Sequence, residues 1–391
     1  MSVPWPSHFQ SMPNKPQIKT LPSLPKSIPS QPSPFSIPDT LPDLIQSLHR
    51  PLAPIPYIPD PLPYPGNAKT AHPFIGGETP AHDRLDHLLK SGAMSAYKDT
   101  RNGMLGADFS SKFSAFLALG CITARQINSS LASFEDGFES KWEGGAGYGK
   151  GQNKGTEAMR FELLWRDYMR LCTKKYGVQL FQLAGFKRKP DSPSRWVATD
   201  TLETQSKIKR FLNGTTGMGL IDASQREIYH TGYTSNRARQ NVASFLAKHL
   251  NIDWRIGAEY YEMMLVDYDL SSNWGNWQYV AGVGNDPRDE ARIFNPVKQS
   301  FDYDAKGAYI KTWVSELSEL TEPSEIFQVW TVPVEERKAK GLEDGKASEM
   351  WEHPLKKIDF TVGRRSQRGR GNGRGVNRGR GGRGNGGGGR G

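Results

Sequence analysis

The sequence predicts a mainly α fold: one packed helical domain between two arms that cannot build a core. Three observations carry this. Between about residues 75 and 320, apolar residues recur at helical spacing and convincing alternating strands are missing. Residues 1–74 are dominated by Pro and Ser. Residues 363–391 are an Arg/Gly run with no carboxylate. The expected organisation is a Pro/Ser-rich disordered segment (1–74), the helical domain (75–320), an irregular extension (321–362) and an Arg/Gly-rich disordered tail (363–391).

Proline fixes φ and removes a backbone donor, so the first segment reads as extended coil. Structure is expected to start at "GGETPAHDRLDHLLKSG", with Thr79 as cap, Pro80 at the first helical position and Gly92 as the stop. Leu85, Leu88 and Leu89 form its apolar stripe. Further helices are expected over 110–119, 124–134, 156–176, 200–212, 222–231, 235–250, 255–266 and 305–317. The glycine-rich stretch "WEGGAGYGKGQNKGT" reads as a surface loop, and "GFKRKPDSPSRW" as a polar insertion between helices. Beyond residue 321 the charged, poorly periodic sequence predicts little regular structure.

Charge and composition narrow the function classes. The net charge of +10 points to an anionic partner, although much of it lies in the tail. Two cysteines, Cys121 and Cys172, are too few for a disulfide framework and fit a reducing compartment. No apolar run reaches the length of a membrane span. Acidic residues are absent before Asp39, a feature shared with transit peptides, but the prolines oppose the amphipathic helix such a peptide needs. The expectation is an intracellular monomer, in nucleus or cytoplasm before mitochondrion, with no metal site.

The densest chemical signal lies between residues 222 and 296. Ser235 should cap a helix whose first turns carry Asn236, Arg237, Arg239 and Gln240. Cations at a helix start oppose the macrodipole, so they need an anionic ligand or buried carboxylates. Asp267 and Asp269 are candidate partners, and a purely structural Arg–Asp network fits equally well. Next, "SSNWGNWQYVAGVGND" alternates glycines, amides and aromatics. It reads as a turn suited to a planar heterocycle, or as a core turn packed by Trp274 and Trp277.

Taken together, "TGYTSNRARQ", "DWR", "VDYDLSSNWGNWQY" and "RIFNP" resemble, in order and spacing, the C-terminal half of the flavin domain of the photolyase/cryptochrome family. "GMLGADFSSKFSAFLALGCITARQI" is similar to its flavin phosphate-binding segment, and "FELLWRDYMR" to its lesion-facing helix. Gln240, Tyr279 and the wording "NWGNWQY" and "GVGNDPR" resemble the DASH branch. The resemblance covers about residues 77–320 and implies a helical FAD-binding domain.

The resemblance also implies roles. Ser110, Ser111, Lys112, Phe113 and Ser114 would bind the FAD pyrophosphate, with Tyr97 reaching a phosphate. Arg239 and Asp267 would pair beside the isoalloxazine, Asp269 would accept from flavin or ribose, and Asn273 would face a flavin ring nitrogen. Glu162, Trp165, Asn236, Gln240 and Tyr279 would form the lesion pocket, with Glu162 bonding the pyrimidine edge. An ion pair from Glu162 to Arg166, four residues on, is the plainer alternative. Trp277, Trp254 and Trp196 would relay electrons to the flavin.

The implied activity is blue-light-driven repair of cyclobutane pyrimidine dimers, mainly in single-stranded DNA, by an electron from reduced FAD. The alternative is a flavin photoreceptor or RNA-associated regulator without repair. The Arg/Gly tail is expected to bind RNA or single-stranded nucleic acid by charge and stacking. The family's N-terminal antenna domain has no counterpart in the Pro-rich segment, so no antenna folate is expected.

Overall fold

The computed structural model describes residues 40, 42–43, 65–66, 68–187, 195–286, 292–342 and 346–360. Most of the Pro/Ser-rich segment, the middle of the polar insertion and the Arg/Gly tail lie outside the described residues. No strand occurs among those described, as the missing alternation predicted.

Helix α1 (Glu78–Lys90) packs beside α2 (Ala93–Thr100). The expected cap at Thr79 is not formed: Gly77 occupies the N-cap without a side-chain bond, and Thr79 and Pro80 sit inside the first turn. Gly92 lies one residue past the Ser91 C-cap in the left-handed conformation, so it stops α1 as expected, and it also opens α2, which the sequence reading missed. It adopts φ 83°, and a Cβ there would come within 3.0 Å of the Ala146 Cβ. The helix expected over 110–119 shortens to α3 (Ser114–Ala118), because Lys112 takes φ 60° and breaks the helical path ahead of it.

Helix α4 (Ala124–Asp136) starts in a capping box between Thr123 and Gln126 and stops at Gly137. Helix α5 (Lys154–Tyr176) starts in a box between Asn153 and Thr156, hidden at the end of the glycine-rich loop. The side chains of α1–α5 share one apolar core, including Leu85, Leu89, Ile127, Leu131 and Phe134, joined by Trp142 from the 3-10 turn between α4 and α5. Gly155 lets α5 press on α2: a Cβ would stand 2.1 Å from the Met94 carbonyl oxygen.

A second group follows: α6 (Leu202–Leu212), α7 (Gly219–Thr231) and α8 (Asn236–Ser244). Ser235 caps α8 as expected, its side chain accepting from the Ala238 amide. Residues Phe245–His249 continue as a π-helical turn rather than an α-helix. Next come α9 (Trp254–Met264) and α10 (Leu270–Ala281).

The reading of the α10 region as a turn was wrong. Asn and Gly have low helix propensity, but Trp274, Trp277, Gln278 and Ala281 recur at helical spacing and are buried. Tertiary burial overrides propensity here. Asp269 caps the helix through the Ser272 amide, and Gly282 ends it at φ 82°.

The helix expected over 305–317 is divided: α11 (Pro296–Tyr303) lies ahead of it, then α12 (Ala308–Trp313) and a 3-10 turn at Ser315–Leu317. Residues 321–362 are less irregular than expected. They hold α13 (Pro323–Phe327), α14 (Val334–Ala339) and α15 (Lys346–Glu352). Ile326, Phe327, Val329, Leu342, Met350 and Trp351 are buried, so this segment completes the core. Short helices with three or four apolar anchors give too little periodicity to be read in sequence. At the other end, Ala71 is buried and His72 lies 4.8 Å from Phe74 and 5.2 Å from Tyr233, so the close of the Pro-rich segment also packs on the domain.

Candidate functional site

A cavity of about 590 Å³ opens between the two helix groups. Its size falls within the roughly 300–1,000 Å³ of pockets that hold organic ligands. Of the residues expected at the site, Tyr97, Ser110, Ser111, Lys112, Phe113, Ser114, Glu162, Trp165, Asn236, Arg239, Gln240, Asp267, Asp269, Asn273, Trp277 and Tyr279 all line it. Trp254 is fully buried behind it, and Trp196 does not line it.

One wall is the loop ahead of α3. Ser111, Lys112 and Phe113 are buried. None of the amide N–H groups of residues 110–114 donates to an acceptor among the described residues. Buried N–H groups rarely lack partners, so those of Ser111, Lys112 and Phe113, on buried residues lining the cavity, fit a ligand rich in acceptors. Lys112 adds a cation; its Nζ donates to the Tyr233 hydroxyl at 3.1 Å and lies 4.8 Å from that ring's centre. Tyr97 lines the same wall, and burial pushes its phenol up to about 12.

The opposite wall comes from α8, α10 and the turn between α9 and α10. Arg239 pairs with Asp267, its Nη2 lying 2.8 and 3.1 Å from the two carboxylate oxygens, and its Nε donates to the Thr234 carbonyl at 2.9 Å. Burial works against the Arg239 charge, but Asp267 outweighs it and holds the guanidinium above its ordinary range. The Asn273 Nδ2 donates to the Ala258 carbonyl at 2.9 Å, which leaves its oxygen for a ligand. Asp269 faces the cavity but is already engaged, with the Ser272 amide at 2.9 Å and Arg170 at 3.1 Å. Burial pushes its carboxyl up; the Ser272 bonds and Arg170 reverse this and leave it below the usual range.

At the mouth stand Glu162, Trp165, Gln240 and Tyr279. The Trp165 and Tyr279 rings meet at 84° with centres 6.0 Å apart, forming an aromatic corner. Glu162 does not pair with Arg166. Its partner is Arg101, which also lines the cavity. Arg166 instead donates to the Leu117 carbonyl at 3.1 Å. Arg101 lies just past α2, and no local pattern in the sequence marked it. Arg237 accounts for itself: it donates to Asn102 at 2.7 Å and to Gln240 at 2.9 Å and stacks over Tyr303.

The three tryptophans are placed unevenly. Trp277 presses on Tyr261, with ring centres 5.3 Å apart, and on Gly257, one turn along α9 from Trp254. Trp254 contacts Trp274 at 5.8 Å, a neighbour the sequence reading assigned to packing alone. Trp196 makes no ring contact with Trp254 among the described residues; Arg195 lies 5.7 Å from its ring centre.

Gly257→Ala should disturb this wall directly. Its Cβ would fall 2.1 Å from the Trp277 ring, which is buried and cannot swing aside. The expected cost is about 1–3 kcal/mol, the usual range for overpacking, measured as a lower urea midpoint with unchanged slope.

Comparisons with known proteins agree with this geometry. The family described as the FAD binding domain of DNA photolyase matches residues 159–365. A Neurospora crassa protein named as a mitochondrial cryptochrome DASH is 53% identical over 372 residues, covering 90% of this chain and 49% of its own length. Xenopus laevis cryptochrome DASH is 46% identical over 262 residues, covering 67% of this chain and 46% of its own. The chain thus spans about half the length of the curated relatives it matches. Among solved structures, a Synechocystis cryptochrome superposes with TM-score 0.63 at 42% identity, covering 72% of this chain and 56% of that one. A class III photolyase from Agrobacterium tumefaciens superposes with TM-score 0.60 at 29% identity, covering 72% and 55%. With donor loop, buried ion pair and aromatic mouth lining one cavity and these matches in hand, the chain belongs to the photolyase/cryptochrome family, among its DASH members, and carries that family's FAD-binding domain.

Proposed function

We propose that this chain uses FAD to split cyclobutane pyrimidine dimers under blue light, mainly in single-stranded DNA. The observation that carries the reading is the convergence, on one cavity, of the donor row at residues 110–114 and the Glu162–Trp165–Tyr279 mouth. Reduced FAD would supply the electron that opens the dimer.

The protein's own groups have separable tasks. The amides of residues 110–114 and Lys112 hold the pyrophosphate. Arg239, fixed by Asp267, lies beside the ring system, and the Asn273 oxygen accepts at its edge. Trp277 and Trp254 pass electrons inward through indoles in a dry interior. At the mouth, Trp165 and Tyr279 stack a flipped dimer, with Asn236 and Gln240 reaching its polar edge. The Glu162 carboxyl bonds the pyrimidine carbonyl edge, where charge builds during splitting. Arg101 must release or share that carboxylate when the dimer enters.

The test uses UV-irradiated oligothymidylate and the FAD-loaded chain under blue light. Glu162→Ala should lower the repair rate about a hundredfold, in line with loss of one charge-stabilising group, while bound FAD stays the same. Equal repair by wild type and variant would contradict the assignment of Glu162. Photoreduction without any repair by the wild type would favour the light-sensing reading instead.

A further inference from the structure

Arg84 is a buried cation that the FAD and lesion assignments leave unused. It lies on α1, does not line the cavity, and is 5% exposed. Its guanidinium makes four hydrogen bonds, all to one stretch of chain. Nε donates to the Ser111 carbonyl at 3.1 Å. Nη2 donates to the Ala107 carbonyl at 2.8 Å and the Ser110 carbonyl at 3.2 Å, and Nη1 to the Asp108 carboxylate at 2.6 Å. The Phe74 ring covers the guanidinium face at 4.8 Å.

The consequence follows from peptide geometry. In a trans peptide the C=O and the next N–H point in opposite directions. Carbonyls of Ser110 and Ser111 drawn towards Arg84 therefore turn the amides of Ser111 and Lys112 the other way. Those are two of the N–H groups with no acceptor among the described residues, and both residues line the cavity. Lys112 at φ 60° followed by Phe113 at φ −79° continues the curl, the alternation of hand that gathers successive N–H groups into an anion-holding concavity.

Only a planar fork with five donors can hold three carbonyls and a carboxylate at once; a lysine is a single point with three donors. We propose that Arg84 is the positioning residue for the pyrophosphate of the cofactor, working from behind the loop and never touching the ligand. This rests on the FAD reading above.

The experiment measures dissociation constants for FAD and for riboflavin, which lacks the phosphates, on the full chain and on Arg84→Lys, Arg84→Gln and Phe74→Leu, with melting curves for each. FAD affinity should fall about tenfold or more in both Arg84 variants, the scale of one or two charge-assisted hydrogen bonds lost at the ligand. Riboflavin affinity should stay within about twofold. Phe74→Leu, which keeps the hydrogen bonds, should fall between wild type and Arg84→Lys and decides the matter if an Arg84 variant does not fold. FAD and riboflavin weakening in step, or FAD unchanged, would overturn the proposal. Wild-type chain that binds no FAD would instead overturn the reading on which it rests.

Discussion

Asp267→Ala should destabilise the domain by about 3 kcal/mol and strip it of flavin. The Asp267 side chain is 1% exposed and holds Arg239 through two bonds from one nitrogen. Removing one partner of a buried pair costs about 3–5 kcal/mol, because the remaining charge is left desolvated. A quarter of the Arg239 side chain is exposed, at 26%, so water recovers part of that charge and the lower end applies. Arg239 would also lose its orientation on the cavity wall. Urea unfolding followed by circular dichroism reads the first effect, and flavin content after gel filtration the second. Asp267→Asn, which keeps an acceptor but no charge, should lie between. A variant as stable as wild type and equally yellow would contradict the assignment.

Glu227 should contribute stability that falls as pH rises from about 4.5 to about 7, and Glu227→Gln should remove that contribution. Glu227 is fully buried, and burial pushes its carboxyl from 4.5 up to about 7, against the Tyr309 and Thr234 hydrogen bonds and the Lys112 and Arg239 charges. The sign follows from proton counting. Between these two values the folded chain holds the proton and the unfolded chain does not. Stability from this group is therefore complete below 4.5 and lost as pH passes about 7. At about 1.4 kcal/mol per pH unit the displacement corresponds to about 3 kcal/mol. Asp222 and Asp304 are also pushed up by burial and add slope of the same sign, whereas His72, His230 and His249, pushed down by burial, oppose it. The difference between variant and wild type isolates Glu227. Glutamine can still accept from the Tyr309 hydroxyl, which now donates at 2.6 Å, so the variant should fold. Parallel stability curves from pH 4.5 to 8 would contradict this.

What the sequence made legible follows physical locality. Ser235 and the stripe of α1 could be read because a cap and a helical period are written within a few residues. The gathering of Lys112, Arg239, Asp267 and Glu162 became legible through the order of several motifs, not through any one of them. The turn assigned to residues 271–286 failed because propensity is a weak force beside the burial of Trp274 and Trp277. The Asn153 cap of α5 was hidden among glycines. Arg84 and Arg101 carried no local signal at all: one acts on carbonyls over twenty residues away, the other on a carboxylate on a different helix. Such partners are set by tertiary packing, and a single sequence does not print them. The same applies to Trp274, whose contact with Trp254 depends on the angle between α9 and α10.

The central claim is that one cavity, walled by the donor row at residues 110–114 and the Arg239–Asp267 pair, holds FAD. Its most direct test is an absorption and fluorescence titration of the purified chain with FAD. Saturable uptake of one FAD per chain, quenched flavin fluorescence and loss of that uptake in Asp267→Ala are the expected results. Free-flavin spectra at every concentration, with wild type and variant indistinguishable, would contradict it.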